Sequence, residues 1–452
     1  MACVATLATA PYAAAQFGPD FRLTGPPAFV SQTARSHAWS VAADDAGNVH
    51  VVYFDTRNAP DVPPWYRRFD RALNAWGPEV RVPSLAQANT RYVAIAADCF
   101  GQVHVVWVHT VAGDQHYLYY KKRSAAGAWG PDVLLQARTT DFWDIRDPVV
   151  TADYLGDVFV AWAEGLKNPQ GDHVYNILYQ ANDAGGNTWT GPQGVTSYTS
   201  GVSPAPGARA PSVSAHERES GGGSIAHFAW ADYPTGTVRY RAVRLVPNGG
   251  TSLRGTASLA LGTSVAPPTV ASRCDEVHVA WADPGSSTIV HRRGDMTFSI
   301  AETTAFAPAV PTGLTGQSPS IAVDGLGNVE LVMLAGGAAK YARRSFMTGA
   351  WTAPVTVSDP PAVPNDPSIA VDTRGAVHVI WTDTRTVPTG TGGAYYDVGG
   401  CVALPAPALA SRLEEDLSAA LAAARPDERL PVLITLRDKP DMAALKRSVE
   451  AL

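Results

Sequence analysis

The chain has 452 residues, of which 46% are hydrophobic and 17% charged, with 40 Gly and 35 Pro. That is too little charge for a helical bundle, because solvated helix faces bring a typical chain to about 25%, and so many turn formers point to short strands. A formal charge of -6, with 35 Lys plus Arg against 41 Asp plus Glu and no long basic run, excludes the basic footprint of a nucleic-acid binder.

Residues 1–15 read as the remnant of a signal peptide. An apolar stretch of small residues from Ala2 ends in Ala13-Ala14-Ala15, a cleavage pattern ahead of Gln16 that implies a secreted or extracytoplasmic protein, although the basic leading residues are missing. No later stretch approaches the roughly 18 to 20 apolar residues of a membrane span. Cys3 would leave with the signal, Cys99, Cys274 and Cys401 cannot all pair with one another, and no Cys-x-x-Cys spacing suggests zinc.

From Val41 onward one pattern recurs in seven copies. It consists of an apolar strand, an Asp-x-x-Gly turn and a strand of the form Val-His-Val-Val-Trp-x-Asp. The copies run Val41–Arg57, Ile95–Thr110, Val150–Glu164, Val213–Asp232, Val270–Asp283, Ile321–Ala335 and Ile369–Asp383. Asp44, Asp98, Asp153, Asp324 and Asp372 each stand three residues before a Gly, which supplies the positive φ of a tight hairpin.

A third strand rich in Tyr and basic residues follows, as in Leu118–Ser124, and a fourth opens on an aromatic, as at Trp76 and Trp129. Four antiparallel strands per repeat make a propeller blade. The seventh repeat has no fourth strand of its own, whereas Phe17-Gly18-Pro19-Asp20 matches Trp76-Gly77-Pro78-Glu79. The N-terminus is therefore expected to complete the last blade and remove its open edge. Residues 16–401 are predicted to be all-β, a seven-bladed β-propeller of four-stranded antiparallel blades.

Asn182–Trp189 approximates an Asp box, Ser-x-Asp-x-Gly-x-Thr-Trp, and Ser124–Trp129 and Ser345–Trp351 keep its Ser, Gly and Trp. On these motifs the chain from Phe17 to Cys401 resembles the secreted bacterial sialidase-like, Asp-box (BNR-type) repeat propellers, in which such boxes are structural turns. The resemblance implies an arginine cluster for an acidic sugar and, in true sialidases, a Tyr nucleophile activated by Glu with an Asp acid/base. Phe21-Arg22-Leu23-Thr24 and Val80-Arg81-Val82-Pro83 echo the family's arginine motif, but both fall on predicted outer strands, and no Tyr-Glu pair is assignable.

Residues 402–410 read as a linker and 411–452 as a helix-strand-helix appendage, opened by a capping box of Ser411 and Glu414. That order resembles the start of the propeptide or inhibitor module that precedes subtilisin-like proteases. The module needs more strands than follow, so the segment is either a truncated module or an appendage docked on the propeller.

In a propeller, the loops entering the inner strands and those joining second to third strands share one rim of the tunnel. One column there, two residues after the second-strand aromatic, holds Asp55, His109, Glu164, Asp232, Asp283, Ala335 and Asp383. A second, just ahead of the inner strand, holds Arg91, Arg146 and Arg209 in neighbouring blades, then Gln317 and Asn365. Three guanidiniums so placed suit bidentate capture of a carboxylate; the alternative is that each pairs with a nearby acid such as Asp147 or Glu164. Trp143, beside Arg146, is the aromatic best placed to stack on a ligand ring, or else an anchor of its loop.

A third column, His50, His104, His227, His278 and His378, lies mid-strand and is expected to hydrogen-bond between blades rather than to bind metal. The expected function is a non-catalytic binding module for a glycan or protein ligand, with no cofactor and no metal. The alternatives are a sialidase-like glycoside hydrolase and a targeting or scaffold region of an exported subtilisin-like protease.

Overall fold

The computed structural model describes residues 16–400 apart from 25–30, 33–39, 86–88, 112–114, 170, 184–187, 200–206, 218–223, 247–249, 254–257, 265, 274–275, 297–303 and 386–391. The signal-peptide remnant, Cys3, Cys274, Cys401, the linker and the 411–452 appendage lie outside the described residues.

The described residues form seven antiparallel sheets that follow one another along the chain. Their inner strands are Val41–Ala43, Thr90–Ala97, Trp143–Ala152, Gly207–Glu217, Thr269–Arg273, Gln317–Val323 and Pro364–Val371. Each touches the next and the seventh touches the first, which closes the ring of a seven-bladed propeller. The second strands have both faces covered by neighbouring blades. Val49–Asp55, for example, is buried at every position, and this two-sided burial is why these strands read as near-continuous apolar runs. Trp107, Trp162, Trp230 and Trp381 are fully buried core residues.

The N-terminal strand completes the last blade. Gln16 and Phe17 pair with Gly400 and Gly399, and Phe21 and Arg22 pair with Tyr396 and Tyr395. Arg22 and Arg81 both lie on outer strands, as the sequence implies.

Each Asp-x-x-Gly turn is tied by its own carboxylate. Asp44 accepts the N–H of Asn48 at 2.8 Å while Gly47 takes φ 78°. Asp98 does the same for Gln102, Asp153 for Asp157, Asp324 for Asn328 and Asp372 for Ala376.

The histidine column differs from expectation, because its hydrogen bonds run within blades. His50 joins Asp44 through Nε2 at 3.1 Å and Tyr66 through Nδ1 at 2.7 Å, all in the first blade. His104 repeats this with Asp98 and Tyr120, and the Nδ1 atoms of His227 and His378 meet Tyr240 and Tyr396. The link between blades is aromatic instead. Tyr66 packs edge-on against Trp129 of the second blade, Tyr120 against Trp189 of the third, and Tyr341 against Phe17 on the closing strand. Trp129 and Trp189 of the degenerate Asp boxes are thus keys between blades, and each half-buried edge-to-face pair adds about 0.5–1.5 kcal/mol beyond its area.

Candidate functional site

Four inner strands enter the ring through a bulge. Register shifts fall between Arg146 and Val149, Arg209 and Ser212, Gln317 and Ser320, and Asn365 and Ser368. The residue after each rim position, Asp147, Ala210, Ser318 or Asp366, has φ between 47° and 51°. A Pro follows each time, with no N–H to lose from the broken ladder. Left-handed backbone at non-glycine residues costs about 1–3 kcal/mol and recurs at ligand sites.

Four of the five rim acids are neutralised by arginines other than the predicted ones. Asp55 is forked by Arg57, which also grips Glu79. Glu164 pairs with Arg138 at 2.5 Å and accepts from Gln136 and Trp162. Asp232 takes Arg239, Tyr198 and the Trp230 indole, and Asp383 takes Arg385 and the Trp381 indole. Asp283 caps its own turn through Ser286 and Gly285, and His109 accepts from the N–H of Asn89. Trp143 is half-buried, with the Arg138 guanidinium 4.2 Å over its ring.

Of the three arginines, Arg146 and Arg209 come together and Arg91 does not. Arg91 is exposed beside the register shift of the second blade, and no contact joins it to the other two. Arg146 and Arg209 both lie on Tyr175, at 4.7 Å and 4.2 Å from its ring centroid. Two glycines make room for this phenol. A Cβ on Gly165, its partner on the adjacent strand, would meet the Tyr175 ring at 2.6 Å, and one on Gly207 would meet the Tyr175 backbone nitrogen at 2.9 Å.

Tyr175 donates its hydroxyl to Asp144 Oδ2 at 2.5 Å, and Arg146 Nε donates to the same oxygen at 2.8 Å. His116 Nε2 stands 3.6 Å from the other oxygen. Burial pushes the Asp144 carboxyl up, but the Tyr175 and Arg146 contacts outweigh it and hold the group below the usual range. Burial and the hydrogen bond to Asp144 push the Tyr175 phenol up.

Arg146 is therefore spent on Asp144 rather than on Asp147 or Glu164. Arg209 has no carboxylate within ion-pair distance among the described residues. Its Nε is buried without a hydrogen-bond partner, and Tyr233, half exposed, flanks it at 5.2 Å on a second side. The result is one cation without an ion pair among the described residues, held between two aromatic rings. A cleft of about 420 Å³ at the opposite end, between the turns of the first two blades, sets Asp44 and Asp45 against Arg68 and Arg123, so its charges offset one another.

Sequence reasoning missed Asp144, Tyr175, His116 and Tyr233. The spacing of Asp144 and Arg146 was a usable signal, since residues i and i+2 share one face of a strand.

No protein-family model and no curated protein matches the chain. Among solved structures it is similar to the polysaccharide lyase Uly1, with TM-score 0.53 and 10% identity over 82% of this chain and 91% of that one. An ulvan lyase bound to -[GlcA(1-4)Rha3S]- matches at TM-score 0.50 and 10% identity, over 84% and 95%. The NanB sialidase from Streptococcus pneumoniae matches at TM-score 0.44 and 10% identity, over 85% and 70%. These likenesses are ones of fold, a propeller shared with enzymes that act on glycans.

Proposed function

We propose that the protein is a secreted glycan-binding propeller that takes the carboxylate of an acidic sugar on the rim between its third and fourth blades. The observation that carries this reading is Arg209, a half-buried guanidinium with no ion-pair partner among the described residues and a buried Nε without a hydrogen bond, stacked on Tyr175 and flanked by Tyr233. A sugar carboxylate supplies a counter-charge through a charge-assisted fork, and the half-exposed Tyr233 ring suits the apolar face of a pyranose, while Tyr175 is buried beneath the guanidiniums. The glucuronate in the ulvan lyase complex is consistent with an acidic ligand for this fold, and the apolar leader ending at Ala15 supports secretion.

Calorimetric titration with uronate oligosaccharides, sialyllactose and a neutral arabino-oligosaccharide tests the reading. Binding of an acidic sugar that Arg209→Ala abolishes supports it. Equal binding of the neutral sugar, or full affinity in Arg209→Ala, defeats it.

The Tyr175–Asp144 contact favours a second reading, turnover of the same ligand, because a phenol that shares a hydrogen bond with a carboxylate beside two cations is placed to hold or pass a proton. Release of a fluorogenic sialoside's reporter, or of an unsaturated uronate seen by its ultraviolet absorbance, establishes this when Tyr175→Phe removes it. Binding with no product confines the protein to recognition.

A further inference from the structure

Asp147 occupies the left-handed bulge between Arg146 and Pro148, with φ 51°. Its Oδ2 accepts the N–H of Ala210, the residue after Arg209, at 3.3 Å. One carboxyl group thus reaches from the third blade to the bulge of the fourth and stands in the field of both guanidiniums. Neither guanidinium pairs with it, since Arg146 is engaged by Asp144.

On the premise that this rim is an acidic-sugar site, we propose that Asp147 sets its selectivity for charge and acidity. When ionised, Asp147 supplies the negative charge that the two guanidiniums would otherwise draw from the ligand. When protonated, it leaves their field to the sugar carboxylate and adds a donor, so acidic glycans bind more tightly in mildly acidic surroundings.

The neighbouring groups are consistent with this assignment. Asp144 and Arg146 flank Asp147 on its own strand, and Arg209 faces it from the next inner strand. Tyr175 and His173 on the third strand of the same blade, with Tyr92 and His116 from the second blade, complete the surroundings of Arg146 and Asp144. Asp144 is held ionised by Tyr175 and Arg146, and burial keeps the His173 imidazole below its ordinary value. Burial pushes Asp147 up to about 6 against the pull of Arg146, the Ala210 N–H and Arg209. Carboxyl ionisation there falls within the range in which extracellular acidity varies.

The test is calorimetric titration of a uronate oligosaccharide from about pH 5 to about pH 8 with the wild-type protein, Asp147→Asn and His173→Gln. Asn suits the site because it tolerates left-handed backbone and keeps an acceptor for the Ala210 N–H. Thermal unfolding confirms that each variant is folded.

Wild-type affinity is expected to fall about tenfold as pH rises through the step. Asp147→Asn should bind at the wild-type acidic affinity throughout, and His173→Gln should keep the step. An unchanged step in Asp147→Asn, or its loss in His173→Gln alone, overturns the assignment while the rim remains an acidic-sugar site. Failure of the wild-type protein to bind the uronate at any pH overturns both.

Discussion

Tyr396 of the seventh blade packs edge-on against Trp76 of the first, with ring centroids 4.9 Å apart and planes at 83°. The same relationship recurs at Tyr66–Trp129 and Tyr120–Trp189. At the seam it joins the two blades that are furthest apart in sequence, where the closing strand supplies only short ladders.

Trp76→Ala should therefore destabilise the protein by about 1–3 kcal/mol, as the truncation of a half-buried aromatic that removes its edge-on contact with Tyr396. It should also loosen the N-terminal strand before the rest. Hydrogen exchange resolved by peptide checks this: faster exchange of residues 16–22 in Trp76→Ala than in Trp189→Ala locates the loss at the seam, and equal exchange refutes it.

The repeats were legible because every blade carries at least one of two local marks, an Asp before a turn Gly or a Trp two residues before an acid. The closing strand was legible because Phe17-Gly18-Pro19-Asp20 copies Trp76-Gly77-Pro78-Glu79. The site was only half legible. Arg146 and Arg209 follow from the column, but Tyr175 reaches Asp144 across strand pairings whose offset is set by the bulge between Arg146 and Val149. The x-Pro step after each bulged rim residue marked that irregularity without giving its geometry. The partners of the acids were hidden for a related reason. Arg57 and Arg385 lie two residues beyond their acids, but Arg138 comes from the preceding blade and Arg239 from the next strand of the same blade.

Because the acids are internally paired, they should affect stability rather than binding. Asp232→Asn removes the charge opposite Arg239 and weakens the acceptor shared by Tyr198 and Trp230. A loss of about 1–3 kcal/mol in urea unfolding is expected, with affinity for an acidic sugar unchanged. A large drop in affinity at unchanged stability would return this acid to the binding surface.

Asp397 makes the closing strand sensitive to pH. Burial pushes its carboxyl up to about 7, opposed by the N–H groups of Val398 and Gly18 and reinforced by Asp20 and Asp359. The folded state then keeps a proton that the unfolded chain has released, so this group's contribution to stability falls as pH rises from about 4 to about 7 and is level outside that window. Asp397→Asn cannot ionise. Its stability relative to wild type should rise across the same window by about 1–2 kcal/mol once solvent screening is allowed for. Paired melting curves at the two ends of the window measure this, and a constant difference between the proteins contradicts it.

Gly165 gives the most direct control of the site, because its missing side chain is what lets Tyr175 lie across the strand. A Cβ there would stand 2.6 Å from the ring, and the position shows no left-handed backbone that would strain an alanine. Gly165→Ala should therefore push the phenol off Asp144 and from under Arg209, costing about 1–3 kcal/mol of stability as overpacking and at least about tenfold in acidic-sugar affinity. Gly191→Ala, where an added Cβ meets nothing within 4 Å, should bind like wild type. If Gly165→Ala keeps full affinity while its stability falls, Tyr175 is a packing residue and the ligand rests on Arg209 and Tyr233 alone.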